Sequence, residues 1–268
     1  MSDVVKQYYN REYYYTSCGN YDEFRNPGKY GKMAWAYRRA AELAGVGADS
    51  KVLDIGCGRG EIMHICASRG ALAYGIDYSY DAVEIAKEYM GRLEDIKARV
   101  RICGMDCRNL GFPDDSFTHV FMLDVVEHLH PEDLAKALSE AKRVMRKGGR
   151  LIIHTNPNRL HLDYGFKYYT RFVNMAANRI FGKNMWTRVS QLRTPKDKIL
   201  HVNEQTYFSL KKNLKPVFDD YRVWLEFSFK EMPFWWKIMK SPSNLYPLSL
   251  FFPLNQIFCN WIWAVAIK

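Results

Sequence analysis

The sequence predicts an α/β protein whose sheet is mostly parallel and covered on both faces. Three observations between residues 51 and 156 carry that expectation. Short apolar runs alternate with helical stretches at close spacing. The first run leads straight into a turn with glycines at 56, 58 and 60. A carboxylate or amide stands at the carboxyl end of each of five runs: Asp54, Asp77, Asp106, Asp124 and Asn156. Open parallel sheets bind ligands at that edge.

The elements follow in order. Residues 31–44 are rich in alanine and read as a helix ended by Gly45 and Gly47. Residues 51–55 form a strand, followed by the glycine turn and a helix through about Arg69. Residues 71–76 form a second strand ending at Asp77, and Ser79 caps the helix that runs to Met90. Residues 99–103 are a third strand. Residues 118–123 are a fourth, opened by the turn Pro113-Asp114-Asp115. Pro131 and Glu132 begin a helix expected to stop near Gly148-Gly149, and residues 150–155 are a fifth strand. Residues 221–229 and 260–268 supply two more strands. Between these lie two aromatic stretches, 158–200 and 232–256, read as insertions over the site. The expected organisation is therefore a tyrosine-rich N-terminal lid segment (1–50), a ligand-binding core (51–157), a helical lid insertion (158–200), and the rest of the core (201–268) with its own insertion at 232–256.

The chain has 268 residues, 48% of them hydrophobic and 25% charged, which suits a globular domain. The N-terminal residues lack the apolar core of an export signal. The apolar stretch 248–267 is broken by Pro253, Asn255, Gln256 and Asn260, so a membrane span is not expected there. The six cysteines form no CxxC pair, and reduced thiols in a cytoplasmic protein are expected. A net charge of +10 suits an anionic partner, although a solvated basic surface explains it as well.

The turn Asp54-Ile55-Gly56-Cys57-Gly58-Arg59-Gly60-Glu61 carries the chemistry. No Gly-Lys-Ser/Thr follows, which argues against a nucleoside-triphosphate loop. Glu61 stands where the last glycine of a dinucleotide fingerprint belongs. A pyrophosphate there would face Asp54 and Glu61, whereas a ligand with an ammonium and a sulfonium suits an acidic turn. Asp77, about 20 residues on, is placed to accept both ribose hydroxyls. Asp106 is placed to accept from an adenine amino group.

With these residues in view, 51–156 resembles the class I S-adenosylmethionine-dependent methyltransferase superfamily. The segments that carry the likeness are VLDIGCGRGEI, GIDYS, CGMDCRNLGFPDDSFTHVFMLDVVEHL and RVMRKGGRLIIHTNPN. The resemblance implies a Rossmann-like seven-stranded sheet with its last strand antiparallel and helical lid insertions, and S-adenosylmethionine as cofactor. It implies that Asp54, Gly56, Cys57, Gly58 and Gly60 hold the methionine end, Asp77 with Tyr78 the ribose, and Asp106 with Cys107 the adenine edge, while Leu123 closes the strand beside the cofactor.

Methyl transfer needs an acceptor atom in line with the sulfonium and a base for its proton. His128 is the candidate base because imidazole titrates near neutrality, with Asp124 or Glu127 to orient it. The other reading is that Glu127 and His128 support the loop beneath the cofactor. His201, beyond the first insertion and expected near the start of the next helix, would approach His128 if the lid folds back. A metal site of Asp or Glu with two His is known in small-RNA methyltransferases, but the DxxEH order here departs from their ExxEH, and no metal is assigned. The aromatics of the three variable stretches point to a small-molecule or lipid-linked acceptor, with oxygen favoured as nucleophile and peripheral membrane contact through 232–256. A nucleic-acid substrate is disfavoured because no added RNA-binding module or long basic tract is present. An RNA methyltransferase and a non-catalytic cofactor-binding regulator remain the competing readings. The sequence does not set the oligomeric state.

Overall fold

The computed structural model of the protein describes residues 7–17, 35–170, 179, 199–226 and 253–268. The expectations for 18–34, for most of the 158–200 insertion beyond Thr170, and for 227–252 lie outside the described residues.

Seven strands form one sheet: β1 (Lys51–Ile55), β2 (Leu72–Asp77), β3 (Val100–Gly104), β4 (Phe117–Leu123), β5 (Met145–Thr155), β6 (Asp220–Glu226) and β7 (Trp261–Ile267). Their order is β3-β2-β1-β4-β5-β7-β6. The first five pair in parallel, and β7 runs antiparallel between β5 and β6. Among the described residues six α-helices accompany them: α1 (Trp35–Ala44), α2 (Glu61–Ser68), α3 (Tyr80–Gly91), α4 (Pro131–Val144), α5 (Tyr207–Leu214) and the single turn α6 (Asn255–Phe258). Strand order reverses between β1 and β4, so the carboxyl ends of these two strands open the crevice where such sheets take ligands.

Alternate side chains of β1 go to opposite faces. Leu53 and Ile55 join the cluster under α4 and α5, with Phe117, Leu134, Leu138, Leu210 and Phe218. Val52 joins the cluster under α1 and α2, with Ala40, Met63, Ile65, Phe121 and Trp263. Both faces are dry, which is why the parallel strands read as unbroken apolar runs.

Two boundaries differ from the sequence reading. The helix opened by Pro131 ends at Val144, not near Gly148-Gly149. Met145 is already extended, fully buried and paired with Phe117, so burial of this side chain starts β5 early, and the chain is irregular until it pairs again at Arg150. The segment after the insertion does not start a helix at His201. Thr206 is the N-cap of α5, its hydroxyl accepting from Ser209 N while the Ser209 hydroxyl accepts from Thr206 N. Among the described residues no helix is long and apolar enough to cross a membrane.

Candidate functional site

The glycine turn uses up its own amides. Gly56 N and Cys57 N donate to the Ile76 carbonyl at the end of β2, and Gly60 N donates to the Cys57 carbonyl. Gly58 N donates to the Asp77 carboxylate at 3.0 Å. A phosphate cradle needs such amides pointing outward; here they close the turn onto β2. Gly56 has φ +74, and a Cβ there would stand 2.6 Å from Val125, so both backbone and space require glycine.

Two buried carboxyls face this turn. Asp54 ends β1, and burial, followed by the charges of Glu61 and Asp77, pushes its carboxyl well above the usual range. Asp77 ends β2. Burial pushes it up to about 6, against the pull of the amides of Ser79, Gly58 and Tyr78. Each Asp77 oxygen has one of these amides at 2.9–3.0 Å, which leaves further acceptor capacity for two hydroxyls. Glu61 stands differently from the sequence reading. Its carboxylate is held by the guanidinium of Arg59, at 2.6–2.7 Å and almost wholly buried, so the charge of Glu61 is compensated inside the protein. Repulsion of a pyrophosphate therefore rests on Asp54 and on the closed amides rather than on Glu61.

At the adenine end, Asp106 and Cys107 follow β3. Asp106 is clasped by Arg108, whose Nη2 lies 2.6 Å from Oδ2, and this pairing holds its carboxyl below the usual range. Arg108 also reaches Asp133 at 3.0 Å. Cys107 is partly buried, and its thiol is pushed up to about 12 by burial first and by Asp106 next. Tyr78 stands beyond Asp77 with its ring edge-on to Tyr9, and Leu123 closes β4 nearly buried.

Three of the residues expected at the reacting centre, Asp124, Glu127 and His128, follow β4, and the fourth, His201, comes from the segment before α5. Asp124 has φ 55, a left-handed backbone that a non-glycine residue adopts at a cost. Its amide donates to the His154 carbonyl at 2.9 Å, which holds the backbone, and its carboxylate lies 2.8 Å from His154 Nδ1 without hydrogen-bond alignment. Glu127 is buried, and its Oε2 accepts from the Thr155 hydroxyl at 2.9 Å; burial pushes its carboxyl well up. The His128 ring has Nδ1 2.9 Å from the Tyr9 hydroxyl and 3.1 Å from the Leu200 carbonyl. The carbonyl can only accept, so a proton on Nδ1 satisfies it, and the phenol oxygen then accepts as well. His201 lies beside it, the two ring centres 4.8 Å apart. The structure thus brings His128 and His201 together, while the carboxylate of Glu127 is engaged by Thr155 and that of Asp124 lies beside His154.

Tyr9, Arg59, Ser79, His154 and Thr155 were not read as site residues from the sequence. Tyr9 arrives from residues 7–17, which lie over the glycine turn. Arg59 Nη1 donates to the Tyr14 carbonyl at 2.9 Å, and the Ser79 hydroxyl donates to the Tyr9 carbonyl at 2.7 Å. Arg11 N donates to Asp81, and its guanidinium pairs with Glu88. The tyrosine richness of the N-terminus was a signal for a lid but not for which ring reaches His128.

The donor set fits S-adenosylmethionine. Asp54 is a buried carboxyl placed to meet a cation, and Asp77 has capacity for a ribose diol. A family model described as a methyltransferase domain matches residues 53–153. A demethylmenaquinone methyltransferase of Tropheryma whipplei is 32% identical over 140 residues, covering 51% of this chain and 55% of that protein. A phosphatidylethanolamine N-methyltransferase of Cereibacter sphaeroides is 33% identical over 129 residues, covering 46% of this chain and 59% of that one. The chain thus spans little more than half the length of these curated relatives. A phosphoethanolamine N-methyltransferase 2 of Haemonchus contortus, solved with S-adenosyl-L-methionine, shares the fold with a TM-score of 0.63 at 19% identity, over 98% of this chain and 60% of that one. Fold, turn chemistry and matched segment agree: residues 53–153 form a methyltransferase domain on a class I, Rossmann-like sheet, and S-adenosylmethionine is the cofactor that its donor set fits.

Proposed function

We propose that this protein transfers the methyl group of S-adenosylmethionine to a small-molecule or lipid-linked acceptor, with a hydroxyl oxygen as nucleophile. The observation that carries the reading is the glycine turn itself, with four of its amides engaged and the buried carboxyls of Asp54 and Asp77 lining it. When bound, the cofactor supplies a methyl group already activated on a sulfonium. Asp54 takes the ammonium of its methionine end, Asp77 the ribose hydroxyls, and Cys107 with the neighbouring backbone borders the adenine. Asp106 serves that edge only through its backbone while Arg108 holds its carboxylate.

His128 takes the acceptor's proton. Tyr9 keeps its own proton at neutral pH, because burial pushes its phenol upward, and so serves as a neutral hydrogen-bond partner that fixes the imidazole. Asp124 lies at the mouth of the same crevice, partly open to solvent, where it suits a donor group on the acceptor. Glu127 holds the loop from beneath, and His201 walls the other side of the imidazole. The lipid-linked class is supported by relatives whose names carry demethylmenaquinone and phosphatidylethanolamine.

Calorimetry with S-adenosylhomocysteine tests the cofactor half, and mass spectrometry of lipid and small-molecule extracts treated with deuteromethyl-labelled S-adenosylmethionine tests the acceptor half. Micromolar uptake and a labelled hydroxyl product are expected. No uptake, or uptake of a nicotinamide dinucleotide instead, sinks the cofactor half. A label found only on nitrogen or carbon removes the oxygen nucleophile.

A further inference from the structure

The large apolar side chains that stay exposed are not scattered. Of the eight among the described residues, seven stand at the carboxyl edge of the parallel sheet, where the crevice opens: Tyr78 and Tyr80 after β2, Tyr164 and Tyr168 after β5, and Ile199, Val202 and Phe208 before and at the start of α5. Only Leu72, at the start of β2, faces the opposite edge. Single exposed apolar residues are ordinary, but their collection on one rim is not.

The part of the rim after β5 has a definite form. Residues His161–Thr170 make a π-helical segment on which Tyr164 and Tyr168, 54% and 64% exposed, follow one another about a turn apart. The Lys167 ammonium stands 5.0 Å above the Tyr168 ring. Arg159 opens the segment, exposed, and its amide donates to the Gln205 carbonyl, which ties the segment to the stretch bearing Val202 and Phe208. Lys211 stands exposed one turn into α5. Phenol rings prefer the headgroup level of a bilayer, with the ring in the acyl boundary and the hydroxyl in water. Lysine and arginine beside them meet lipid phosphates, and the chain carries a net charge of +10.

We infer that this rim is a docking surface for an anionic lipid bilayer, seated by Tyr164 and Tyr168 and steered by Arg159, Lys167 and Lys211, with the mouth of the crevice against the membrane. A lipid-linked acceptor would then reach His128 without crossing water. Docking itself involves no turnover, so it stands or falls separately from the methyl-transfer reading.

The test is flotation of the full chain with phosphatidylcholine vesicles containing 30% phosphatidylglycerol, beside vesicles of phosphatidylcholine alone. The wild type is expected to float with the anionic vesicles and to lose about tenfold in binding between low and high salt. Tyr164→Ser with Tyr168→Ser is expected to weaken binding about tenfold, and Lys167→Glu severalfold, while S-adenosylhomocysteine affinity stays unchanged in both. Unchanged cofactor affinity shows that the variants are folded. The proposal is overturned if the wild type ignores anionic vesicles, or if the double tyrosine variant floats as well as the wild type. It is overturned too if light scattering shows that the tyrosines hold two copies of the chain together, since the rim would then be a protein interface.

Discussion

Burial lifts the Asp77 carboxyl from 3.8 to about 6, and the sign of this shift fixes opposite pH responses for the free protein and for cofactor binding. In the free protein the neutral carboxyl is favoured. The native state binds a proton that the unfolded chain has already lost between these two values, so the contribution is fully present below 3.8 and is lost as pH rises through about 6. The rise corresponds to about 3 kcal/mol. Binding runs the other way, because two ribose hydroxyls donate best to a carboxylate. At pH 5 about a tenth of the free protein is ionised at Asp77, so affinity for S-adenosylhomocysteine should fall about tenfold between pH 7 and pH 5. In Asp77→Asn this component of the slope vanishes, and affinity at pH 8 drops by about 1.5–3 kcal/mol, the worth of a hydrogen bond to a charged acceptor. Isothermal calorimetry from pH 5 to pH 8 measures both, and the difference between wild type and Asp77→Asn isolates Asp77 from Asp54. An affinity that is level across this range, or an Asn variant that keeps the full slope, would refute the assignment of the ribose to Asp77.

Other consequences are equally direct. Tyr9→Phe should lower methyl transfer by about 10–100-fold while leaving S-adenosylhomocysteine affinity within about threefold, because the phenol oxygen touches His128 and not the glycine turn. Gly56→Ala should cost about 2 kcal/mol or more in thermal unfolding, since φ +74 and the Val125 methyl both oppose a Cβ, and Gly56→Ala with Val125→Ala should recover only the steric part. Glu127→Gln should leave the melting temperature near that of the wild type at pH 7, because burial already favours the neutral carboxyl, whereas Thr155→Val strands that carboxyl and should cost about 1–3 kcal/mol. Arg59→Met should destabilise by about 3–5 kcal/mol by leaving Glu61 buried and unpaired, and Arg59→Met with Glu61→Met should restore most of the loss.

What could be read in the sequence was whatever depends on neighbours along the chain. The strand 51–55, the Ser79 cap and the order of carboxylates at strand ends stand as expected, because each rests on local periodicity or on a short turn. The end of the fourth helix was misplaced because Met145 is extended by a contact with Phe117, 28 positions away, and no local signal reports that contact. The same limit hid the partners of the site. His128 was legible as a base from its type and place, but Tyr9 reaches it across 119 positions. His154 reads as an ordinary strand-end residue until the pleat of β5 sets it beside the strained Asp124.

The charge on the glycine turn shows why residue type alone misleads about ligand class. Read along the chain, Asp54, Glu61 and Asp77 make a triply acidic turn, and acidity seems to be what rejects a phosphate. In space, Arg59 cancels Glu61, and burial favours the neutral form of Asp54 while Asp77 titrates at about 6. Four amides of the turn offer nothing to a pyrophosphate, because those of Gly56, Cys57, Gly58 and Gly60 are spent on Ile76, Cys57 and Asp77. A phosphate that drew on these four amides would have to break bonds that join β1 to β2. A ligand bringing an ammonium breaks none of them. It pays instead for ionising Asp54, which a buried cation repays at short range. The turn therefore favours a cationic ligand through Asp54, whose carboxyl acquires its charge in the complex, while Asp77 carries most of its charge beforehand at neutral pH.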